Sequence, residues 1–258
     1  MGQDETTPSP ADSGDRRFFF VHIQKTAGTS LFMHLRRIFA YAEVYPNRSD
    51  GDPHAEAPQV SVHHLIQRWR ARGDEIRLVA GHFPLCTTEL LGGGFTTLTV
   101  LREPVERTLS YLRHFRASTP AAGETSLEEI YEDPVRFPRL VHNHMVKMFA
   151  LQPSEMTIGM MMSGMMTELQ FTPAHLERAK AQLATVDAIG LQERFDEFRG
   201  ELEHRFGWRF GEAIHANRTQ PENASAELRA RIAHDNALDV ELYEFARQLT
   251  ASRLRSSS

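Results

Sequence analysis

The chain has 258 residues, enough for one sizeable core and too few for two full domains, and its 41% hydrophobic and 24% charged residues are those of an ordinary globular protein. A formal net charge of −5 without a run of Lys or Arg excludes a nucleic-acid footprint, so any cations that matter must be gathered locally, around a small anion. The single cysteine, Cys86, excludes an intrachain disulfide, and no apolar run approaches the roughly 20 residues that span a bilayer, so stable membrane insertion is not expected.

Residues 1–17 are polar, Pro-containing and mixed in charge, without a signal-peptide core, and read as a disordered leader. A single domain is expected over 18–250 and a flexible tail over 251–258. Gly2–Thr6 fits a myristoylation pattern, and Asn47, Asn217 and Asn223 open glycosylation-type triplets. Acidic neighbours at Asp4 and Glu5, and the lack of a secretory signal, make these chance matches.

Phe18–Ile23 (FFFVHI) is a continuous apolar run, as expected of a strand buried on both faces. The loop Gln24–Ser30 leads into Leu31, Leu35, Ile38 and Phe39 at helical spacing. Residues 43–58, with Pro46, Gly51, Pro53 and Pro58, read as a loop. Leu65, Ile66 and Trp69 mark a short helix ending near Gly73; Ile76–Phe83 and Phe95–Leu101 read as the second and third strands. A helix starts at Pro104, a favoured first-turn position, carrying Val105, Leu109 and Leu112. Residues 126–150 read as helical with a break at Pro134 or Pro138. Thr172-Pro173 opens another helix. Val186–Leu191 is the fourth strand, followed by a helix over Phe195–Phe206 that Gly207 terminates. One long or two short helices close the chain. Alternating strands and helices imply an α/β fold, a central mainly parallel sheet flanked by helices, with ligands at the carboxyl ends of the strands.

That rule directs attention to the loops after residues 23, 83 and 101. The first reads Gln24-Lys25-Thr26-Ala27-Gly28-Thr29-Ser30. A turn of small residues before a helix presents backbone N–H groups and the positive helix end to an anion, and Lys25 and three hydroxyls reinforce it. It is not a Walker A loop, because Lys25 precedes Gly28 instead of following it. The third loop is Leu101-Arg102-Glu103-Pro104-Val105-Glu106-Arg107-Thr108-Leu109-Ser110, in which Arg102 can grip a second anionic group with its planar fork. Arg107 and Arg113 read as solvated helix charges.

VHIQKTAGTSL and TVLREPVERTLSYLRHF are similar to the 5'-phosphosulfate- and 3'-phosphate-binding motifs of the sulfotransferases that include the heparan sulfate 2-O- and 6-O-enzymes. Fainter echoes occur at VAGHFPL, HNHMVKMFA, GLQERFDEF with FGW, and HANRT. The resemblance implies a P-loop-like sulfotransferase fold that uses 3'-phosphoadenosine-5'-phosphosulfate (PAPS), releases adenosine 3',5'-bisphosphate (PAP) and needs no metal. It implies that Lys25, Thr26, Ala27, Gly28, Thr29 and Ser30 hold the 5'-phosphosulfate and that Arg102 and Ser110 hold the 3'-phosphate. Arg218 and Thr219, beside Asn217, would close over the nucleotide. Relatives of this kind are anchored in the Golgi; a chain with no evident anchor suggests a soluble, cytoplasmic and plausibly bacterial enzyme with a small-molecule, glycolipid or saccharide acceptor.

Sulfuryl transfer needs a base, support for the sulfuryl oxygens and neutralisation of the departing phosphate. Lys25 suits the last of these. His82, at a strand end beside Gly81 and with a near-neutral intrinsic pKa, is the candidate base, as at the matching position of the relatives; His22 is its rival. His63, His64, His142 and His144 lack metal-ligand spacing, and no metal site is expected. Met156–Met166 holds six of the ten methionines and reads equally as a mobile acceptor wall or as buried packing. Two other functions stay open: a kinase with a degenerate P-loop, needing Mg²⁺ and an acidic ligand such as Glu103, and a non-catalytic nucleotide-binding module.

Overall fold

A computed structural model describes residues 16–51, 58–163, 168–212 and 224–256. Five strands are present among them: β1 (Arg17–Val21), β2 (Val44–Tyr45), β3 (Leu78–Gly81), β4 (Phe95–Leu101) and β5 (Ala188–Leu191). They form one sheet in the order β2-β3-β1-β4-β5, and every neighbouring pair is parallel. The carboxyl ends of β1, β3 and β4 therefore meet at one edge of the sheet, with Val21 opposite Gly81 on one side and Thr99 on the other.

The helices in chain order are α1 (Gly28–Ile38), α2 (Val62–Arg72), α3 (Thr87–Leu90), α4 (Pro104–Ser118), α5 (Leu127–Tyr131), α6 (His144–Ala150), α7 (Ile158–Ser163), α8 (Pro173–Thr185), α9 (Phe195–Phe206), α10 (Ala226–Asp235) and α11 (Ala237–Ser256). Because successive side chains of a strand point to opposite faces, β1 divides between two cores. Phe18 and Phe20 join Leu31 and Leu35 of α1 and Phe198 and Leu202 of α9. Phe19 and Val21 join Leu65 of α2, Leu109 of α4, Val146 of α6, Leu183 of α8 and Leu242 of α11. These four β1 side chains are all buried, each worth on the order of 1.5–3 kcal/mol for a large apolar group. The centre of the sheet is thus the best-anchored part of the fold, and its loop inherits that rigidity.

Several sequence expectations need correction. Residues 43–58 are not all loop, since Val44 and Tyr45 add an edge strand, too short for a hydrophobic pattern to betray. The helical stretch over 126–150 does break at its prolines, as expected, into α5, a short π-helix at Phe137–Val141 and α6. The two-helix alternative is the one found at the C-terminus. α11 runs to Ser256, so the tail expected from residue 251 is helical up to there, and Arg17, assigned above to the leader, starts β1.

Two glycines give opposing forecasts. A Cβ on Gly190 in β5 would lie 2.4 Å from the Phe198 ring, whereas one on Gly200, inside α9, meets nothing within 4 Å. Gly190→Ala is expected to destabilise the fold by about 1–3 kcal/mol through overpacking. Gly200→Ala should stabilise it by up to about 1 kcal/mol through helix propensity. Denaturant titration of the two variants checks both signs.

Candidate active site

The loop after β1 is built on unusual backbone. Lys25 and Ala27 both have φ of 68°, in the left-handed region that non-glycine residues enter at a cost of about 1–3 kcal/mol. Thr26 between them is not left-handed, and this alternation of hand lets successive N–H groups converge on an anion. α1 begins directly afterwards at Gly28 with no side-chain cap, so its first N–H groups add to the same concavity.

Three contacts hold the loop in that shape. The Thr26 hydroxyl, fully buried, donates to the Ile23 carbonyl at 3.0 Å. Arg102 Nη1, from the end of β4, donates to the Lys25 carbonyl at 3.3 Å. Gly28 lies against the His22 ring so closely that a Cβ there would stand 2.1 Å from His22 Cδ2. No other residue type fits at position 28 without displacing that ring.

The sheet edge therefore brings Lys25, Gly28, Arg102, His22 and His82 together. Lys25 is half-buried; burial lowers its pKa, and the Arg102 guanidinium lowers it further. Arg102 Nε is buried and has no hydrogen-bond partner among the described residues. Burial is also the main influence on Arg102, with Glu106, Arg113, Glu103 and Glu193 around it. Two adjacent cations, one with an unused donor, make a site that an anion would relieve.

His82 sits where β3 ends. Its Nδ1 lies 2.6 Å from the His22 carbonyl, and its backbone N–H donates to the Gln59 carbonyl at 2.8 Å. A carbonyl can only accept, so Nδ1 carries the proton and the neutral ring keeps its Nε2 lone pair, as a base requires. Burial lowers the pKa of His82, opposed by that hydrogen bond. The His22 ring stacks on Phe20, at 5.2 Å and 11°, and lies 4.5 Å from the His82 ring. Its pKa falls well below the ordinary value through burial, then His82, then Lys25. His22 is thus the packing partner: its carbonyl orients His82 and its ring braces Gly28.

The other sequence candidates fall at varied places. Thr29 is exposed and Ser30 buried in the first turn of α1. Thr26 braces the loop with its proton, and only its oxygen lone pairs remain. Ser110 is buried in α4, and no hydrogen bond joins it to Arg102 or the loop. Arg218 and Thr219 lie outside the described residues. Arg107 is not solvated: it is 0% exposed and donates through Nη2 to the Val141 carbonyl at 3.0 Å, because α10 and the turn before α6 cover α4. Arg113 is partly buried near Arg102. Glu103 accepts from the Val105 and Glu106 N–H groups at 3.1 and 2.8 Å, which makes it the cap of α4.

Sequence reasoning missed His114, whose pKa is lowered by burial and then by Lys25. Its signal was spacing, since Arg107, Ser110 and His114 fall at i, i+3 and i+7 along α4. Of the methionine segment, Met165 and Met166 lie outside the described residues. Met156, Met160 and Met161 pack into apolar clusters, while Ile158 and Met162 are 84% and 55% exposed. The residues that follow, Glu168, Leu169 and Gln170, line a cleft of about 850 Å³ with Tyr131, Phe137 and His142. No described helix is long and apolar enough to cross a membrane.

A turn of this backbone at the carboxyl edge of a parallel sheet, faced by a histidine with a fixed tautomer, is a geometry able to receive an anion in an α/β protein. Comparison with known proteins narrows this. No family model matches the chain. It is similar to zebrafish (Danio rerio) heparan-sulfate 6-O-sulfotransferase 3-B, at 26% identity over 281 residues, covering 93% of this chain and 65% of the relative. It is also similar to the human (Homo sapiens) and mouse (Mus musculus) heparan-sulfate 6-O-sulfotransferase 2, each at 27% identity over 282 residues, covering 93% of this chain and 45% of the relative. The chain thus resembles the sulfotransferases along nearly its whole length, while it spans between about half and two thirds of theirs.

The histidine geometry predicts a pH dependence with a definite sign. Folded-state pKa values of His22 and His82 lie below the unfolded value of about 6.5. The unfolded chain therefore binds more protons on acidification, and stability present above about pH 6.5 is lost as pH falls below it. Chemical denaturation from pH 7.5 to 5 should show that decline, and it should be smaller in His82→Gln. Two-bond ¹⁵N–¹H NMR should find His82 neutral and Nδ1-protonated at pH 7.

Proposed function

We propose that the chain is a sulfotransferase that moves a sulfuryl group from PAPS to a hydroxyl of a saccharide or related small acceptor, releasing PAP. The observation that carries this reading is the pairing of the Lys25–Gly28 turn, braced by Arg102, with the lone pair of His82 at the same sheet edge. The resemblance to enzymes named heparan-sulfate 6-O-sulfotransferases supports a sulfuryl donor over other anionic groups.

In this mechanism the N–H groups of the turn and the Lys25 ammonium hold the phosphosulfate end of the donor, and Arg102 reaches its 3'-phosphate. His82 Nε2 takes the proton of the acceptor hydroxyl. The acceptor oxygen bonds to sulfur as the bond from sulfur to the bridging phosphate oxygen breaks, and the electron pair leaves with PAP. Lys25 neutralises the charge that collects on that oxygen, where a fixed cation in a dry site acts most strongly. His22 contributes orientation through its carbonyl. The chemistry is positional and electrostatic, as in phosphoryl transfer.

The kinase reading is less well supported. Its acidic metal ligand would have been Glu103, and that carboxylate already caps α4. A chelator should leave transfer unchanged if the sulfotransferase reading holds.

Labelled transfer from PAPS to a panel of saccharides, phenols and lipids tests the proposal. Lys25→Ala and His82→Ala should each reduce kcat on the order of 10²–10⁴-fold, the usual contribution of a positioned acid–base or charge-stabilising group. His82→Ala should still bind PAP, because the hydrogen bond and ring contact of His82 are made to His22 and not to the turn. The rate should fall on the acid side as His82 takes up a proton below about pH 6.5. Full activity in His82→Ala would remove it from the mechanism.

A further inference from the structure

Behind His82 lies a buried polar cluster that the donor site does not use. His144 and Lys147 of α6 are 0% and 1% exposed, and they pack with Arg107 of α4 and Asp239 of α11, both fully buried. Charges this deep are costly unless each has a defined partner. Much of the cluster is fixed by hydrogen bonds to the N-terminus of α6.

Asn143, directly before α6, is left-handed at φ 42° and ψ 44°, a conformation asparagine tolerates better than most residues. Its N–H donates to Asn236 Oδ1 at 2.8 Å, and its Oδ1 accepts from the Asp239 N–H at 3.1 Å. Asp239 in turn accepts from the Met145 and Val146 N–H groups, at 3.1 and 2.8 Å, and so caps the first turn of α6 from another helix. Asn236 Nδ2 donates to the Ile232 carbonyl at 2.9 Å, which fixes the junction of α10 and α11. The lock is reciprocal: each helix end satisfies orphan groups of the other.

α6 is bonded to the loop that follows the candidate base. The Met148 carbonyl accepts from the Leu85 N–H at 2.9 Å, tying α6 to the loop that carries His82. His144 has two buried ring nitrogens without a hydrogen-bond partner among the described residues. Burial, then Arg107 of α4, Lys147 of its own helix and His82, hold its pKa well below the ordinary value. Asp239 of α11 faces Arg107 and Lys147 and offsets part of their charge.

We propose that Asn143, Asn236 and Asp239 form a positioning lock for the base: by fixing the first turn of α6 they set the place of His144 and, through the Met148 carbonyl bonded to the Leu85 N–H, of the loop that carries His82. These are positioning residues, since none touches substrate. The inference rests on the reading of His82 as the base.

Asn236→Ala deletes the acceptor of the Asn143 N–H, and Asn236→Asp retains one. In folded Asn236→Ala, kcat should fall on the order of 10²-fold, the scale of a 1 Å misplacement, with PAP affinity unchanged. The His82 ¹⁵N resonances and titration should move, and Asn236→Asp should restore much of both. If only the thermal midpoint falls, while kcat and the His82 resonances stay as in the wild type, the lock is structural alone and the inference is overturned. Should Asn236→Ala fail to fold, His144→Phe, which keeps a ring but removes its nitrogens, must show the same loss of kcat and shift of His82. A wild-type chain that transfers no sulfuryl group would defeat the donor reading; the His82 titration in Asn236→Ala would still decide for or against the lock.

Discussion

The site depends on a strained turn. Lys25 and Ala27 occupy a backbone region that neither would choose alone, and they stay there because three independent contacts leave the loop no alternative. β1 supplies the fixed end, buried on both faces at the centre of the sheet. Arg102 clamps the Lys25 carbonyl from β4, Thr26 ties the loop to its own start, and the His22 ring fills the space that a side chain at position 28 would need. Strain held by that much surrounding structure is the form in which preorganised anion sites are built. The same His22 also fixes the tautomer of His82 through its carbonyl, so the turn and the His82 ring share one support.

The buried charges follow a second logic. Arg107, Lys147, Asp239 and His144 do not increase stability in any obvious way, because their desolvation offsets much of their attraction. What they supply is geometry. Asp239 can accept from two N–H groups of α6 only if α11 lies at one height along it, and Asn143 and Asn236 repeat that constraint. The C-terminal helices are therefore coupled to the sheet edge through α6, although they are far from it in sequence.

The main frame was legible in the residues. An apolar run marked β1 because a central parallel strand needs no polar face, the Gly92–Gly94 break preceded β4, and Pro104 and Gly207 marked helix ends by backbone chemistry alone. The places of the loops after β1 and β4 and of His82 were legible for the same reason: each follows a recognisable strand. What escaped was whatever depends on distant partners. β2 is two residues long and owes its pairing to β3. Arg107 read as a surface charge because its cover comes from elements 34 and more residues later. The Asn143–Asn236–Asp239 lock joins residues about 95 positions apart, and no local spacing announces it. The Thr26 hydroxyl, read from the sequence as a donor to the anion, gives its proton to the loop itself, a bond that no local pattern announces.

Binding of adenosine 3',5'-bisphosphate, measured by calorimetry alongside a crystal structure of the complex, tests the central claim most directly. The account predicts one site per chain, with the 5'-phosphate in the Lys25–Gly28 turn and the 3'-phosphate on Arg102. It also predicts that adenosine 5'-phosphate, lacking the second group, binds more weakly. Folded protein with no affinity for the bisphosphate, or a complex with the nucleotide away from that turn, would contradict it.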